Sequence, residues 1–306
     1  MPGDRRSRRP SRGWWDVQSW GELLEPSRLT AVVDIGANPI DGDPPYAPML
    51  RAGLCTVVGF EPQPDALAKL HAAAGPNERY LPHAVGDGGE HELKVTWMGG
   101  MTSLFEPDVA RLSALNEFAR YGQVLSRVPV STTRLDDVAD LGPLDLLKID
   151  VQGSELMIFQ NGRRTLADAV AVHTEVSFVP LYEGQPMFHE VDAELRAQGF
   201  LPHAFAALKK WAIAPAVLDG DIFENHQQVI EADVAYVKDF GRLEELSREQ
   251  LTHLALLAHH VYASPDLTVR CLVQLVADGH VDGEVVPAYG AAIGRSLTTN
   301  GVRSDV

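Results

Sequence analysis

The sequence predicts an α/β fold with a doubly wound, mostly parallel β-sheet. Short apolar runs rich in β-branched residues, such as Ala31–Ile35 and Thr56–Phe60, are typical of buried parallel strands. Segments with helical spacing separate these runs, as Pro64–Ala74 does after the second run. Because strands that alternate with helices of about ten residues form parallel sheets with crossover connections, this alternation indicates a doubly wound sheet.

The order of the elements follows from apolar periodicity and from the turn residues between them. Gly75-Pro76 ends one helix, and Gly86–Gly89 is a turn by composition. Strict alternation at His91–Trp97 predicts an additional strand. The predicted strands are Ala31–Ile35, Thr56–Phe60, Arg79–Val85, His91–Trp97, Val128–Thr132, Leu144–Ile149, Ala169–Val176, Phe200–Leu208 and Val229–Val237. The predicted helices are Trp14–Leu24, Tyr46–Ala52, Pro64–Ala74, Pro107–Tyr121, Gly153–Asn161 and Phe188–Gln198.

The pattern changes after Phe240, where strand signals end and helical spacing continues through Leu243–Tyr262 and Pro265–Ala277. We therefore expect a disordered basic arm over 1–13, an α/β domain over 14–240 and a helical extension over 241–306. The extension offers a surface for a homodimer. Its histidines are expected as interface or surface residues rather than metal ligands, at His253, His259 and His260.

The composition excludes several classes of function. A formal net charge of -16 argues against a broad nucleic-acid-binding surface. No apolar run approaches the roughly 18 residues that a membrane span needs. With Cys55 and Cys271 as the only cysteines, there is no disulfide framework, which fits a reducing cytoplasm. The expectation is a cytoplasmic protein that binds neither nucleic acid nor membranes. Its basic residues cluster in the arm, at Arg5, Arg6, Arg8, Arg9 and Arg12.

The turns after the first two strands point to a cofactor that carries a nucleoside. Gly36 and Ala37 follow the first strand and let a ligand approach the backbone closely. Glu61 follows the second strand, about 25 residues after Gly36, which is the spacing at which a carboxylate binds a ribose diol. An ordinary strand-turn-helix in another α/β protein remains the alternative for these two segments.

The first turn does not suit a cofactor with phosphate groups. A dinucleotide site needs the G-x-G-x-x-G pattern, so that a helix N-terminus faces the pyrophosphate, and this turn lacks it. Asp34, Asp41 and Asp43 would also repel phosphates. S-adenosylmethionine (SAM) has an ammonium and a sulfonium group and no phosphate, so the acidic turn favours SAM.

Six motifs occur in a fixed order between Ala31 and Phe240: VVDIGAN, GFEPQP, HAVGD, TTRLDDV, LLKIDVQGSE and HTEVSFVPLYEGQP. Together they resemble the FkbM family of SAM-dependent methyltransferases. Two positions depart from the family pattern. Gln152 stands where glutamate is usual, and Pro39–Gly42 replaces a turn in which a residue followed by glycine is more common. The resemblance implies a class I methyltransferase fold, which is Rossmann-like, with seven strands and an antiparallel last strand at Gln228–Phe240.

The resemblance also implies a cofactor site. The first motif surrounds the amino-acid end and the sulfonium of SAM with Asp34, Gly36, Ala37 and Asn38. Glu61 is the carboxylate for the ribose, as its spacing also indicates. The remaining cofactor residues are Pro62 and Gln63 beside the adenosine, Ala84, Val85 and Asp87 beside the adenine, and Asp150 in the same crevice. Asp87 is equally well explained as a turn residue.

Transfer of a methyl group to a neutral hydroxyl requires a base, because the hydroxyl must lose its proton. The candidates are Asp150, His173 and Glu175, at the ends of adjacent predicted strands. His173 and Glu175 share one face, since alternate residues of a strand point the same way. His173 is as readily explained as a core histidine. The three residues could instead hold a divalent ion, but their spacing is not diagnostic, and we expect no metal.

The predicted function is an O-methyltransferase that uses SAM, releases S-adenosylhomocysteine (SAH) and acts on a sugar, glycan or other secondary metabolite. The acceptor pocket is expected to include Trp97, Ser103, Tyr182 and His189. Two alternatives stay open. One is an NAD(P)-dependent oxidoreductase or nucleotide-sugar enzyme on a Rossmann fold. The other is a degenerate, non-catalytic methyltransferase that serves as a binding or assembly module.

Overall fold

The computed structural model describes residues 24–38, 42–221, 227–295 and 297. The strands in this part of the chain are β1 (Thr30–Ile35), β2 (Cys55–Phe60), β3 (Glu78–Leu81), β4 (Ala84–Gly86), β5 (Glu90–Thr96), β6 (Val124–Arg134), β7 (Leu146–Ile149), β8 (Ala171–Ser177), β9 (Phe200–Trp211) and β10 (Gln228–Lys238). Its helices are α1 (Ala47–Arg51), α2 (Pro64–Ala73), α3 (Val109–Leu112), α4 (Phe118–Tyr121), α5 (Glu155–Gln160), α6 (Arg163–Leu166), α7 (Phe188–Ala197), α8 (Arg248–His260), α9 (Pro265–Ala277) and α10 (Val285–Ala292).

A large sheet of seven strands, counted over the described residues, has the spatial order β3-β2-β1-β7-β8-β10-β9. The strands β3, β2, β1, β7 and β8 pair in parallel. β10 runs antiparallel to both of its neighbours, β8 and β9. This order, with the antiparallel strand last in the chain, confirms the predicted class I methyltransferase fold. The sheet belongs to a compact unit, Leu29–Gly241.

The register of the large sheet aligns apolar residues in rows across neighbouring strands. Val33 pairs with Leu147, which pairs with Val172, which pairs with Tyr236. All four side chains are buried in one cluster. Every residue of β1 and β8 is buried, as expected of central strands that are covered on both faces. The rows fix the register, since a slip of one residue would move each apolar side chain to the other face.

A small sheet carries the segments between β3 and α5. Its order is β4-β6-β5, with β4 parallel and β5 antiparallel to β6. The single strand predicted at Arg79–Val85 is wrong: β3 belongs to the large sheet and β4 to the small one. Pro82 lies between them, and a proline cannot donate a hydrogen bond to a ladder. β6 is longer than the predicted Val128–Thr132.

The helix predicted over Pro107–Tyr121 is also wrong, because the structure has two short helices there. α3 begins after Asp108, whose side chain accepts a hydrogen bond from Arg111 N. Before α4 the chain turns at Glu117, which has a left-handed φ of 63°. The break lets Leu112, Leu115 and Phe118 pack into a second apolar cluster, which a single continuous helix would present differently.

The unit that contains Arg242 and the residues after it is helical wherever it has regular secondary structure in the described residues. Ser247 begins α8 with a capping box to Gln250. Leu254 and Leu257 on α8, with Cys271 and Leu272 on α9, are fully buried. Residues 24–28 group with these helices. The predicted arm at 1–13, and the Trp14–Leu24 helix up to residue 23, lie outside the described residues.

The three histidines of α8 are buried rather than at the surface. The relative exposure of His253, His259 and His260 is 0%, 1% and 5%. The Nδ1 atom of His259 lies 3.1 Å from the hydroxyl of Tyr289 on α10, and His253 Nε2 lies 3.2 Å from a carboxylate oxygen of Glu249. Among the described helices, none combines the length and the apolar character that crossing a membrane requires.

The turn after β1 depends on the absence of a side chain at Gly36. Its φ is +79°, a value that residues with a Cβ rarely adopt. A Cβ at this position would lie 2.1 Å from the carbonyl oxygen of Asp150, at the end of β7. The backbones of the two turns are therefore in direct contact.

We predict that Gly36→Ala lowers the free energy of unfolding far more than Gly53→Ala. Gly53 has a similar φ of +70°, but a Cβ at that position would have no atom within 4 Å, so Gly53→Ala reports the conformational cost alone, about 1–2 kcal/mol. The collision at Gly36 should add at least about 2 kcal/mol. Chemical denaturation of both variants measures the difference, and equal losses would contradict the contact between the two turns.

Candidate functional site

A cavity of about 280 Å³ opens at the carboxyl ends of β1, β2, β7 and β8. β1 and β7 are neighbours in the sheet although they are far apart in the chain, so the strand order reverses between them. Ligands of open α/β sheets bind at such a switch point. The predicted site residues that line the cavity are Asp34, Gly36, Ala37, Asn38, Glu61, Pro62, Gln63, Ala84, Val85, Asp150, His173 and Glu175.

Asp34, at the end of β1, is held by two residues that the sequence-based prediction missed. The hydroxyl of Tyr46 donates a hydrogen bond of 2.6 Å to Asp34 Oδ2, and Lys148 Nζ lies 3.2 Å from Oδ1. Burial raises the pKa of the Asp34 carboxyl, and the charge of Lys148 opposes that shift. Lys148 is a charged residue within a predicted apolar strand, which was a usable signal. Nothing in the local sequence marked Tyr46.

The turn that follows Asp34 is fixed to both neighbouring strands. The amides of Gly36 and Ala37 each donate a 3.1 Å hydrogen bond to the carbonyl of Phe60 on β2. Lys148 Nζ donates to the carbonyl of Gly36 at 3.1 Å. The turn thus presents its backbone to the cavity in one conformation up to Asn38. Residues 39–41, where the sequence departs from the family pattern, lie outside the described residues.

Glu61 stands at the end of β2 and is 3% exposed. Its Oε1 accepts a hydrogen bond of 2.7 Å from the amide of Gln63, which fixes the carboxylate at the cavity wall. Burial raises the pKa of Glu61, and the Gln63 amide opposes the shift. A buried carboxylate in a cavity wall matches a ligand that brings hydroxyl donors. Ala84 and Val85 of the small sheet line the same cavity.

The three candidate bases meet at the floor of the cavity. His173 and Glu175 on β8 are buried, whereas Asp150, after β7, is half-buried. Lys209 Nζ on β9 lies 2.5 Å from Glu175 Oε1. Burial, together with the Asp150 charge, raises the pKa of Glu175 well above its usual range, while Lys209 opposes the shift. Burial and the Lys148 charge lower the pKa of His173 to about 4, so this imidazole is neutral at pH 7.

The small sheet and the loop after β5 contribute apolar residues to the cavity lining. These residues are Leu93 on β5, Val130 on β6 and Leu104 in the loop. Gly99 and Gly100 belong to the same lining. The cavity therefore combines an acidic floor with apolar side chains, an arrangement that suits a ligand with a polar edge and an apolar face.

Five predicted residues are not among the described residues that line the cavity: Asp87, Trp97, Ser103, Tyr182 and His189. Asp87 accepts a hydrogen bond of 2.8 Å from Gly89 N and lies 2.8 Å from His91 Nε2, so it acts as a turn residue. Trp97 stacks on Tyr121 with ring centroids 5.9 Å apart. His189 is exposed at the start of α7.

Ser103 and Tyr182 are buried beside the cavity floor and contact Gln152 instead of the cavity. Ser103 Oγ donates a 2.6 Å hydrogen bond to the carbonyl of Gln152. The hydroxyl of Tyr182 lies 2.9 Å from Gln152 Oε1 and 3.1 Å from the carbonyl of Met101. Both residues therefore reach the site through Gln152, which the sequence-based prediction did not include among the site residues.

Glu155 holds the turn between β7 and α5. Its Oε1 accepts a 2.9 Å hydrogen bond from Val151 N, and its Oε2 accepts one of 2.9 Å from Gly153 N. Glu155 is buried, and this burial raises the pKa of its carboxyl to about 7. It therefore shapes the backbone that presents Asp150 and Gln152. The motif contained Glu155, but its role depends on the geometry of the turn.

The donor set of the cavity fits SAM. Ser154 is among the residues that line the cavity, and its buried Oγ has no hydrogen-bond partner among the described residues. A polar ligand would satisfy that hydroxyl, because an unpaired buried polar atom costs free energy. Carboxylates and backbone groups dominate the cavity near Asp34 and Glu61, which suits a cationic, phosphate-free ligand. Over the described ranges, no three His, Cys, Asp or Glu side chains are arranged to hold a metal ion.

Comparison with known proteins gives one family match and one curated relative. A family model described as the methyltransferase FkbM domain matches residues 34–202. The relative is 2-O-methyltransferase NoeI of Sinorhizobium fredii (strain NBRC 101917 / NGR234), which is 30% identical over 162 residues. That match covers 50% of this chain and 66% of the relative, slightly under two thirds of its length.

Two solved structures illustrate the more distant similarity. Magnesium protoporphyrin IX methyltransferase (ChlM) from Synechocystis PCC 6803 with bound SAM has 10% identity and a TM-score of 0.35, over 72% of this chain and 75% of that one. Precorrin-6y C5,15-methyltransferase from Geobacter metallireducens GS-15 has 13% identity and a TM-score of 0.33, over 72% and 88% of the two chains.

We predict that Glu155→Gln removes part of the pH dependence of stability. The folded-state pKa of about 7 lies above the usual 4.5, so the unfolded chain releases this proton at lower pH than the folded chain. The contribution of Glu155 is fully present below pH 4.5 and falls as the pH rises to about 7, by roughly 3 kcal/mol.

Unfolding of the wild type and of Glu155→Gln between pH 5 and 8 measures this contribution. The difference between their unfolding free energies should change over that range. Glu183→Gln, at an exposed position, is the matched control and should track the wild type. Parallel curves for wild type and Glu155→Gln would contradict the prediction.

Proposed function

The chain belongs to the FkbM methyltransferase domain family, and from that premise we propose that it transfers a methyl group from SAM to a hydroxyl oxygen of a small molecule. The observation that carries this proposal is the cavity at the switch point, with Glu61 in its wall and Asp150 at its floor. Within this one cavity, Glu61 is a carboxylate suited to bind a ribose, and Asp150 is a carboxylate suited to accept a proton.

The residues that would hold SAM are those of the first two turns and the start of the small sheet. Glu61 would accept hydrogen bonds from the ribose hydroxyls, and the backbone of Gly36–Asn38 would contact the amino-acid end. Ala84 and Val85 would face the adenine. When bound, SAM supplies a methyl group that is electrophilic because it is attached to a sulfonium. The acidic lining favours a cation through charge complementarity.

We assign proton transfer to Asp150. It is the half-buried member of the floor cluster, whereas His173 and Glu175 are buried behind it. Gln152 Nε2 donates to Asp150 Oδ1 at 3.0 Å, which orients the carboxylate and leaves Oδ2 as the atom that takes the hydroxyl proton. Glu175 is engaged by Lys209 and Gln152, so its role is to set the field around Asp150. Neutral His173 adds no competing charge.

The acceptor we propose is a sugar, a glycan or another hydroxyl-bearing metabolite. Leu93, Leu104 and Val130 line the same cavity as the acidic floor, so one face of the acceptor can pack while its hydroxyl edge meets Asp150. The curated relative is named a 2-O-methyltransferase, which supports oxygen as the methylated atom. Orientation of that hydroxyl toward the methyl group would supply much of the rate enhancement.

We predict that Glu61→Gln weakens SAH binding by on the order of 2 kcal/mol, because a charge-assisted contact to the ribose is lost. Isothermal titration calorimetry of SAH into the purified protein measures this. Asp87→Asn is the matched control: it also neutralises one carboxylate near the small sheet, but it lies outside the cavity lining and should leave the affinity unchanged.

The same calorimetric titration with NAD separates the proposal from a Rossmann-type oxidoreductase. Binding of SAH without NAD supports the proposal, whereas binding of NAD without SAH would overturn it. An unchanged SAH affinity in Glu61→Gln would show that the ribose lies elsewhere.

We predict that Asp150→Asn lowers turnover at least about 100-fold, the usual contribution of a general base. A panel of sugars, glycans and other polyols with labelled SAM identifies an acceptor and gives the rates. SAH affinity should change by less than about tenfold, which separates loss of the base from loss of the cofactor site. Near-wild-type turnover in Asp150→Asn would refute this assignment.

A further inference from the structure

Gln152 connects the carboxylates at the floor of the cavity. Its Nε2 donates a 3.0 Å hydrogen bond to Asp150 Oδ1 and a 2.7 Å hydrogen bond to Glu175 Oε2. The hydroxyl of Tyr182 lies 2.9 Å from its Oε1. One neutral amide thus serves two carboxylates, and a tyrosine faces its oxygen.

The orientation of this amide follows from the chemistry of its partners. Carboxylate oxygens accept hydrogen bonds, and Asp150 Oδ1 and Glu175 Oε2 both lie within hydrogen-bond distance of the same end of the amide, so the NH₂ group is placed toward them. The reverse orientation would place an amide oxygen against two carboxylate oxygens and would cost both contacts. The tyrosine hydroxyl can donate to Oε1, and this contact fixes the amide in the orientation that serves the carboxylates.

The backbone of Gln152 is held in an unusual conformation. Its φ is +56°, and Gly153 follows with a φ of +106°. A left-handed conformation at a non-glycine residue costs free energy, and it persists where the surroundings enforce it. Here the hydrogen bond from Ser103 Oγ to the carbonyl of Gln152 and the contacts of Glu155 with the turn supply that enforcement. The strained turn aims the side chain at the floor.

The floor is rich in acidic groups from several elements. Around Glu175 lie Asp150 after β7 and Glu231 on β10, while Lys209 on β9 brings the opposing charge. The charges of Asp150, Glu175 and Glu231, together with that of Glu155 on α5, act on the hydroxyl of Tyr182 and raise its pKa.

The neighbouring bases add a second cation and a neutral imidazole. The negative charges of Asp34, Asp150 and Asp233 on β10 raise the pKa of Lys148 on β7. The charge of Lys148 lowers the pKa of His173 on β8, and the charge of Asp150 raises it. The carboxylates thus outnumber the ammonium groups, so one further acid at the floor could not ionise without a large cost.

We propose that Gln152 is a positioning residue that disfavours protonation of the floor cluster: its amide supplies hydrogen bonds that Asp150 and Glu175 would otherwise obtain by sharing a proton. Carboxylates in close contact share protons when no other donor stands between them. Because the amide donates to Oδ1 of Asp150, Oδ2 remains for the proton of the acceptor hydroxyl. This last step rests on the proposed function, whereas the proton count of the cluster does not.

The test is the pH dependence of unfolding in Gln152→Glu, which places a third carboxyl between Asp150 and Glu175. The proposal expects this carboxyl to stay protonated in the folded protein up to a higher pH than in the unfolded chain. The variant should therefore lie close to the wild type at pH 5 and lose stability relative to it as the pH rises to 8. If the unfolding constant of the variant, divided by that of the wild type, changes tenfold per pH unit, the folded variant retains one proton that its unfolded chain has released.

Gln185→Glu is the matched control. Gln185 is also a buried glutamine, but its Oε1 accepts from the amides of Leu181 and Tyr182, and its Nε2 donates to Ser177 Oγ. A carboxylate there keeps the amide donors, and the serine hydroxyl can rotate to donate. Its difference from the wild type should therefore vary much less with pH.

Gln152→Met keeps the experiment informative if Gln152→Glu fails to fold. It removes both N–H donors without adding a charge, so the carboxylates must recover a proton, and its stability deficit should also shrink toward pH 5. A purely structural role predicts a deficit that is independent of pH. Deficits in both variants that stay constant from pH 5 to 8 would overturn the proposal.

Further measurements separate this inference from the proposed function. The infrared difference spectrum of Gln152→Glu minus wild type at pH 7 should show an additional carbonyl band of a protonated carboxylic acid; its absence from the folded variant would overturn the inference. SAH titration of the wild type tests the cofactor site independently. With an acceptor identified, the acid limb of the pH profile of kcat should move to higher pH in Gln152→Glu, and an unmoved limb would contradict the role assigned to Gln152.

Discussion

The site depends on one contact between two turns of the backbone. The turn after β1 touches the carbonyl of Asp150 after β7, and only glycine at position 36 leaves room for this contact. The side chain of Lys148 stabilises this contact between the two turns, because its ammonium group donates to the carbonyl of Gly36 and forms an ion pair with Asp34. The part of the cavity suited to a nucleoside and the part suited to proton transfer are therefore joined rigidly at one point. A loop between them could not hold a reacting geometry to a fraction of an ångström.

The cavity lining concentrates buried carboxylates, and lysines from other strands of the sheet pair with two of them. Strands β7 and β9 each send a lysine inward, so that Lys148 balances Asp34 and Lys209 balances Glu175. A buried charge without a partner would shift its pKa until it was neutral. Two of the carboxylates that interrupt apolar strands are thus paired with a lysine from another strand. These pairs explain why the floor can hold several carboxylates and still present one of them to the cavity.

Local patterns in the sequence were sufficient for many of the elements that are regular over five or more residues, but they did not predict α10 and they predicted only part of β6. The buried strands, α2, α7 and α9 follow from apolar periodicity, and Glu61 follows from its spacing. Contacts between distant segments could not be predicted from these local patterns. Tyr46 meets Asp34, and Lys209 meets Glu175, only because the sheet brings those segments together. The break at Pro82 depends on which of two sheets each half joins, and tertiary pairing decides that.

Ser103 and Tyr182 also show that local sequence patterns do not predict contacts between distant segments. Their motifs predicted a position at the site, but as residues that face the acceptor. In the fold their side chains instead contact the main chain and the amide of Gln152, which in turn contacts Asp150 and Glu175. The loop that bears Ser103 also carries Thr102 and Leu104, which line the cavity. Under the proposed function, an acceptor that contacts Thr102 or Leu104 would therefore lie next to the residue whose hydrogen bond holds the backbone of Gln152, and Gln152 in turn orients Asp150.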